Sequence, residues 1–214
     1  MNIATIGLDL AKNVFQVHGV DSQGKVVLRK ALKRADVTSF FAKLLPCLIG
    51  MEACGSAHYW ARKLAGLGHT VKMMAPQFVK PYVKTNKNDA RDAEGICEAV
   101  GRPSMRFVPM KTVEQQAMLS LHRARQGFVA ERTAQANRIR GLLSEFGIVI
   151  PKGILHLEGQ LPAILQDLEN GLHGGSRDLF NRLFDHFREL DRHVKELEVS
   201  DQNTTPRQHR EQTP

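Results

Sequence analysis

At 214 residues and 42% hydrophobic content, the chain has room for one domain of about 120–150 residues plus an appendage. It has no apolar run near the roughly 20 residues of a membrane span. Thirty Lys and Arg against 22 Asp and Glu leave a net charge of +8, which points to a polyanionic partner such as DNA or RNA. Cys47, Cys54 and Cys97 form no CxxC pair and the nine histidines show no metal-ligand spacing, which sets aside a disulfide framework and a zinc site and suits a reducing cytoplasm.

The first apolar run, Ile3 to Lys12, predicts a buried strand, and Asp9 stands inside it where packing asks for no acid. A lone buried carboxylate is costly, so Asp9 is expected to belong to a charge arrangement completed further along the chain. Val14 to Val20 alternates as a half-buried strand, Asp21-Ser-Gln-Gly24 is a turn, and Lys25 to Leu32 reads as a third strand of an antiparallel meander. Asp36 can cap a helix through Phe40, Phe41, Leu44 and Leu45. Cys47 to Met51 is a short apolar strand ending at Glu52. Gly55-Ser56 then opens a helix through Tyr59, Trp60 and Leu64, and Thr70 to Met74 is a fifth strand stopped by Ala75-Pro76. The order βββαβαβα is that of the ribonuclease H fold, an α/β mixed five-stranded sheet with helices. In that topology strands one and four lie side by side, which makes Asp9 and Glu52 neighbours in space.

Lys80, Lys84, Lys87 and Arg91 surround a helix through Asp89 and Asp92, with Asn86 or Asn88 as its cap. The two aspartates are three apart and share a face. They fit either a surface network with Lys87 and Arg91 or a metal site. Met105 to Pro109 reads as an extended connector. From Thr112 to Phe146 runs one long helical pattern carrying Arg123, Arg125, Arg132, Arg138 and Arg140, a face that is either solvated or turned to phosphates. Gly147 to Gly175 reads as a turn with a short helix at 161–168. In the helix from Arg177 to Val199, Leu179, Leu183, Phe187, Leu190, Val194 and Leu197 step as a coiled-coil seam. It is expected to pair with the long basic helix or with its copy in another subunit. Residues 200–214 carry no apolar side chain beyond proline and are expected to be disordered.

Four carboxylates meeting in one place would repel one another; magnesium, which prefers oxygen ligands, removes that problem. At this point the chain resembles a family. Gly7-Leu-Asp9-Leu-Ala-Lys12, Gly50-Met-Glu52-Ala-Cys-Gly55, Lys87-Asn-Asp89-Ala-Arg-Asp92-Ala93, and Arg102-Pro-Ser-Met-Arg-Phe-Val-Pro109 followed by Glu114-Gln-Gln are similar to motifs of the DEDD (RuvC-like) transposases of bacterial insertion sequences. This is the class numbered one hundred and ten, related to Piv-type invertases.

The resemblance implies a catalytic, metal-binding tetrad of Asp9, Glu52, Asp89 and Asp92 holding two Mg2+ ions, and DNA transposition by strand cleavage and exchange. It also implies a guide (bridge) RNA beside the DNA partner. Lys84, Lys87, Arg91, Arg123, Arg125, Arg132, Arg138 and Arg140 are the expected nucleic-acid contacts. The expected domains are a RuvC-like domain over 1–110, a helical coiled-coil region over 111–199 forming a homodimer or tetramer, and a tail over 200–214. The family's C-terminal serine-bearing domain has no counterpart in these residues, so the chain reads as an N-terminal part. Rival readings are a Holliday-junction-type nuclease using the same acids, an inactive nucleic-acid-binding remnant and, more remotely, an actin-like kinase suggested by Ile6 to Gly24.

Overall fold

The computed structural model describes residues 2–83 and 89–204, and for residues 89, 90 and 200–204 the backbone alone. The chain divides into two compact units, Met1–Thr112 and Val113–Pro214.

The first unit is a mixed six-stranded sheet with helices. Its strands are β1 (Thr5–Asp9), β2 (Val14–Val20), β3 (Val26–Lys33), β4 (Leu48–Glu52), β5 (Thr70–Met74) and β6 (Phe107–Val108), in spatial order β3-β2-β1-β4-β5-β6. The meander β1–β2–β3 is antiparallel, β4 and β5 join parallel to β1, and β6 closes the far edge antiparallel to β5. Five strands were expected and six are present. Phe107 and Val108, within the expected connector, pair with Met74 and Met73. They cover part of an edge whose backbone groups would otherwise be unpaired. A two-residue strand shows no alternation from which sequence could detect it, and the Lys72 ammonium over the Phe107 ring (4.5 Å) helps hold it.

Alternation sends Ile6 and Leu8, Phe15 and Val17, and Ile49 and Met51 to one face of the sheet. There they pack against Val37 and Phe41 of α1 (Val37–Phe41) and Ala57, Trp60, Ala61 and Leu64 of α2 (Ala57–Ala65). The helix α1 is shorter than its apolar pattern: Asp36 makes no side-chain cap, and a 3-10 turn at Arg34–Asp36 precedes it. His69 ties its end to β4. The Cys47 N–H donates to His69 Nδ1 (3.3 Å), which leaves Nε2 to donate to the Phe41 carbonyl (3.1 Å). After α3 (Pro76–Val79), α4 (Asp89–Val100) covers the opposite face.

The second unit holds α5 (Val113–Ser144), α6 (Ile154–Gln166) and α7 (Gly174–Thr204). Gln135 Nε2 donates to the Leu183 carbonyl (2.8 Å) and Phe128 stacks on His193 (4.9 Å), so α5 and α7 run antiparallel against each other. α6 begins earlier than expected and continues through Pro162. Its burial of Leu157 and Leu161 outweighs the backbone bond that proline removes. α7 continues through 200–204, part of the stretch expected to be disordered. Extending a formed helix adds a hydrogen bond per residue and needs no apolar side chain; residues 205–214 lie outside the described residues.

The buried stripe of α7 shares Phe187, Leu190 and Val194 with the expected seam and departs from it elsewhere: Leu179 is 48% exposed, whereas Phe180, at 1%, Phe184 and Asp191 are buried. Among the described residues no helix is long and apolar enough to cross a membrane.

Candidate active site

Asp9 ends β1 and Glu52 ends β4. The parallel register pairs Leu8 with Met51, so both acids stand one residue beyond the last pair, at the carboxyl edge of the sheet. Strand alternation puts Asp9 on the face of Gly7 and Glu52 on the face of Gly50. Both glycines lie directly under α4. A Cβ on Gly7 would stand 2.0 Å from the Ala93 carbonyl oxygen and 2.5 Å from the Cys97 nitrogen, and one on Gly50 would stand 2.7 Å from Val100 Cβ. The helix therefore rests on bare backbone. Its N-terminal end, with Asp92 next to Ala93, comes down where the two strands present their acids.

Charge effects register this proximity. Partial burial, and then the Asp92 charge, push the Glu52 carboxyl above its ordinary range. The Cys54 thiol is likewise pushed up by burial and by the charges of Glu52 and Asp9. Asp9, Glu52 and Asp92 thus influence one neighbourhood, as like charges that stay apart unless compensated. In the turn after Glu52, Ser56 at the start of α2 adopts φ +68°, a strained conformation for a residue with a side chain. Among the described residues, no three His, Cys, Asp or Glu side chains are disposed to hold a metal ion together. Asp89 begins α4, but its side chain lies outside the described residues.

Beside the acids, a cleft of about 420 Å³ opens between α4 and the same face of β2 and β3. Gln16, the register partner of Asp9, lines it together with His18, Arg29, Arg91 and Glu94. His18 is 4% exposed, and burial, opposed by the Glu94 charge, lowers its basicity.

The expected basic contacts separate into groups. Lys84 and Lys87 lie outside the described residues. Arg91 is exposed at the cleft. On α5, Arg123 and Arg138 are exposed. Arg125 is ion-paired with Glu198 (2.5 Å), and Arg140 donates to the Pro151 and Gly153 carbonyls. Arg132 turns inward and pairs with Asp191, an acid in a core position of α7.

Gly7 and Gly50 are the positions the acid pattern alone overlooks. The signal was present, since each acid is preceded two residues earlier by glycine, in Gly7-Leu-Asp9 and Gly50-Met-Glu52.

A family model described as a transposase, of the DEDD type named for IS110, matches residues 6–148. The chain is 53% identical over 199 residues to a protein of Pseudomonas aeruginosa named "Probable family 20 transposase", covering 92% of this chain and 59% of that one. It is 43% identical over 207 residues to the transposase for insertion sequence element IS1328 of Yersinia enterocolitica, covering 93% and 62%. It is 42% identical over 197 residues to the transposase for insertion sequence element IS1111A of Coxiella burnetii, covering 92% and 54%. The chain thus spans little more than half the length of these curated relatives.

Proposed function

The chain belongs to the DEDD transposase family of insertion sequences, and from that premise we propose that its sheet unit is the ribonuclease H-like part of a DNA recombinase, with Asp9, Glu52, Asp89 and Asp92 as its catalytic acids. The observation that carries this reading is the seating of α4 on Gly7 and Gly50, which brings Asp92 to the edge where β1 and β4 end in Asp9 and Glu52. The strand order, an antiparallel meander extended by two parallel strands, supports the same reading.

The donor set fits magnesium: all carboxylate oxygens, with the ionised form of Glu52 disfavoured by burial and by Asp92. Bound there, Mg2+ supplies Lewis-acid stabilisation of phosphate charge and an activated oxygen nucleophile for phosphoryl transfer. Asp9 and Glu52 would contribute from the ends of two paired strands and Asp92 from α4; among the described residues they do not form a closed ligand set without the ion, so binding would have to draw them together. Arg29 and Arg91 line the cleft beside β2 and β3 and would hold a phosphodiester backbone there. Arg123 and Arg138, exposed on α5, give the helical unit basic contacts of its own, and that unit serves as a coiled-coil arm for a dimer or tetramer. A guide RNA shares these basic surfaces with DNA.

The test is metal binding by the intact chain. Millimolar Mg2+ raises the melting temperature of the parent, and Asp9→Asn abolishes that rise while the metal-free protein melts as before. An equal rise in both proteins removes the metal role from this edge. Metal-dependent nicking of insertion-sequence-end DNA, lost in Asp9→Asn, then connects binding to chemistry.

A further inference from the structure

On the sheet face away from the acids, a cleft of about 540 Å³ opens between the Arg34–Asp36 turn, α1 and α2, lined by Arg34, Ala35, Thr38, Tyr59, Trp60 and Lys63. Trp60 is 4% exposed and packs edge-on against Phe15 (5.1 Å), which fixes it to the core. Tyr59 is 46% exposed and meets the Trp60 ring at 5.2 Å. The Arg34 guanidinium lies over the Trp60 and Phe15 rings at 5.4 and 5.7 Å. Among the described residues the Arg34 guanidinium makes ring contacts with no ion pair, and no ion pair engages Lys63. No acid lines the cleft.

These groups match what a nucleotide asks of a protein. An exposed aromatic ring takes the face of a base, and cations take its phosphate. In a duplex the base faces are stacked on one another and closed to the Tyr59 ring. We propose that this cleft binds one unpaired nucleotide of a single strand, its base on Tyr59 and its phosphate between Arg34 and Lys63. The proposal rests on the nucleic-acid reading of the chain but not on the acidic site, so the two fail separately.

Trp60 is the chain's one tryptophan, so its emission reports on this cleft. The experiment titrates the full chain with oligothymidylate and oligouridylate of four nucleotides, and with a DNA duplex of about 12 base pairs. At least one tetranucleotide quenches Trp60 emission saturably and the duplex does not. Quenching by the deoxy probe alone assigns a DNA strand, by the ribo probe alone an RNA strand, and by both a site indifferent to the sugar. Tyr59→Leu weakens binding about tenfold and Tyr59→Phe keeps it, as stacking requires. Lys63→Gln weakens it and flattens its salt dependence, and it serves as the deciding variant if Tyr59→Leu lowers the urea midpoint. Asp9→Asn binds as the parent does, whether or not its metal response is lost. No saturable quenching by either tetranucleotide, equal quenching by the duplex, or unchanged binding in both Tyr59→Leu and Lys63→Gln overturns the proposal.

Discussion

In the helical unit Asp191 is 5% exposed and is held by Arg132 and Lys195. In the sheet unit Glu52, also withdrawn from solvent, has the charge of Asp92 as its neighbour. Burial pushes both carboxyls up. At Asp191 hydrogen bonds from Lys195 and Arg132, together with their charges, outweigh burial and hold it below its ordinary range; at Glu52 the Asp92 charge adds to burial. The first acid is completed by the chain's own cations and serves the fold. The second carries a charge that both burial and Asp92 disfavour, which the proposed metal ion would relieve.

The largest effect expected from this contrast is at Asp191. Asp191→Ala leaves Arg132 inward-facing without its partner, and loss of one member of a buried pair costs about 3–5 kcal/mol. Urea denaturation followed through the helical unit measures it; a loss below about 1 kcal/mol would show that Arg132 simply swings out. The pH dependence has a definite sign. A folded-state pKa held down contributes stability that is present above the unfolded value near 4 and is lost as pH falls through the folded value. The parent therefore loses stability below about pH 4, and Asp191→Asn flattens that part of the profile.

Next come the glycines that seat α4. Gly7→Ala drives a Cβ to 2.0 Å from the Ala93 carbonyl and 2.5 Å from the Cys97 nitrogen, both backbone atoms that cannot turn aside. Overpacking against backbone is expected to cost about 3 kcal/mol and to lift the N-terminal end of α4 away from Asp9. Gly50→Ala meets Val100 Cβ at 2.7 Å and its two methyls at 2.9 and 3.0 Å, a contact less tight than that at Gly7 but one whose Cβ is held by the α4 backbone, so about 2 kcal/mol is expected. Gly55→Ala meets nothing within 4 Å and is the control. Equal urea midpoints for the Gly7 and Gly50 variants would contradict the close seating of α4 on β1.

These residues mark how far the sequence was legible. Apolar runs located β1 and β4, alternation located β2, and β2 and β5 were read with their observed ends, because buried strands are apolar throughout and a half-buried one writes period two into its side chains. The neighbourhood of Asp9 and Glu52 followed from strand order, since parallel pairing of β1 with β4 carries one acid beside the other. What was not legible depends on a partner element. Phe107 and Val108 are a strand only because β5 offers them an edge. The expected α7 seam meets the packed stripe at Phe187, Leu190 and Val194, but it takes in exposed Leu179 and misses Phe180 and Asp191. A charged residue enters a core stripe only when a distant cation, here Arg132 on α5, answers it. The inward turn of Arg132 has the same origin.

The smallest effect separates the two acids by sign. Glu52→Gln keeps the shape of the side chain and removes a charge that burial and Asp92 both disfavour. Without metal the variant is expected to melt at or slightly above the parent temperature, whereas the corresponding Asp191→Asn melts below its parent, because it leaves Arg132 and Lys195 facing a neutral amide. In Mg2+ the order at Glu52 reverses, since only the parent gains the stabilisation that binding supplies. Paired melts with and without Mg2+ measure both signs in one experiment. A Glu52→Gln protein that melts well below the parent without metal would mean that Glu52 is held as Asp191 is, by an interaction within the fold, and the acids at the sheet edge would then be structural.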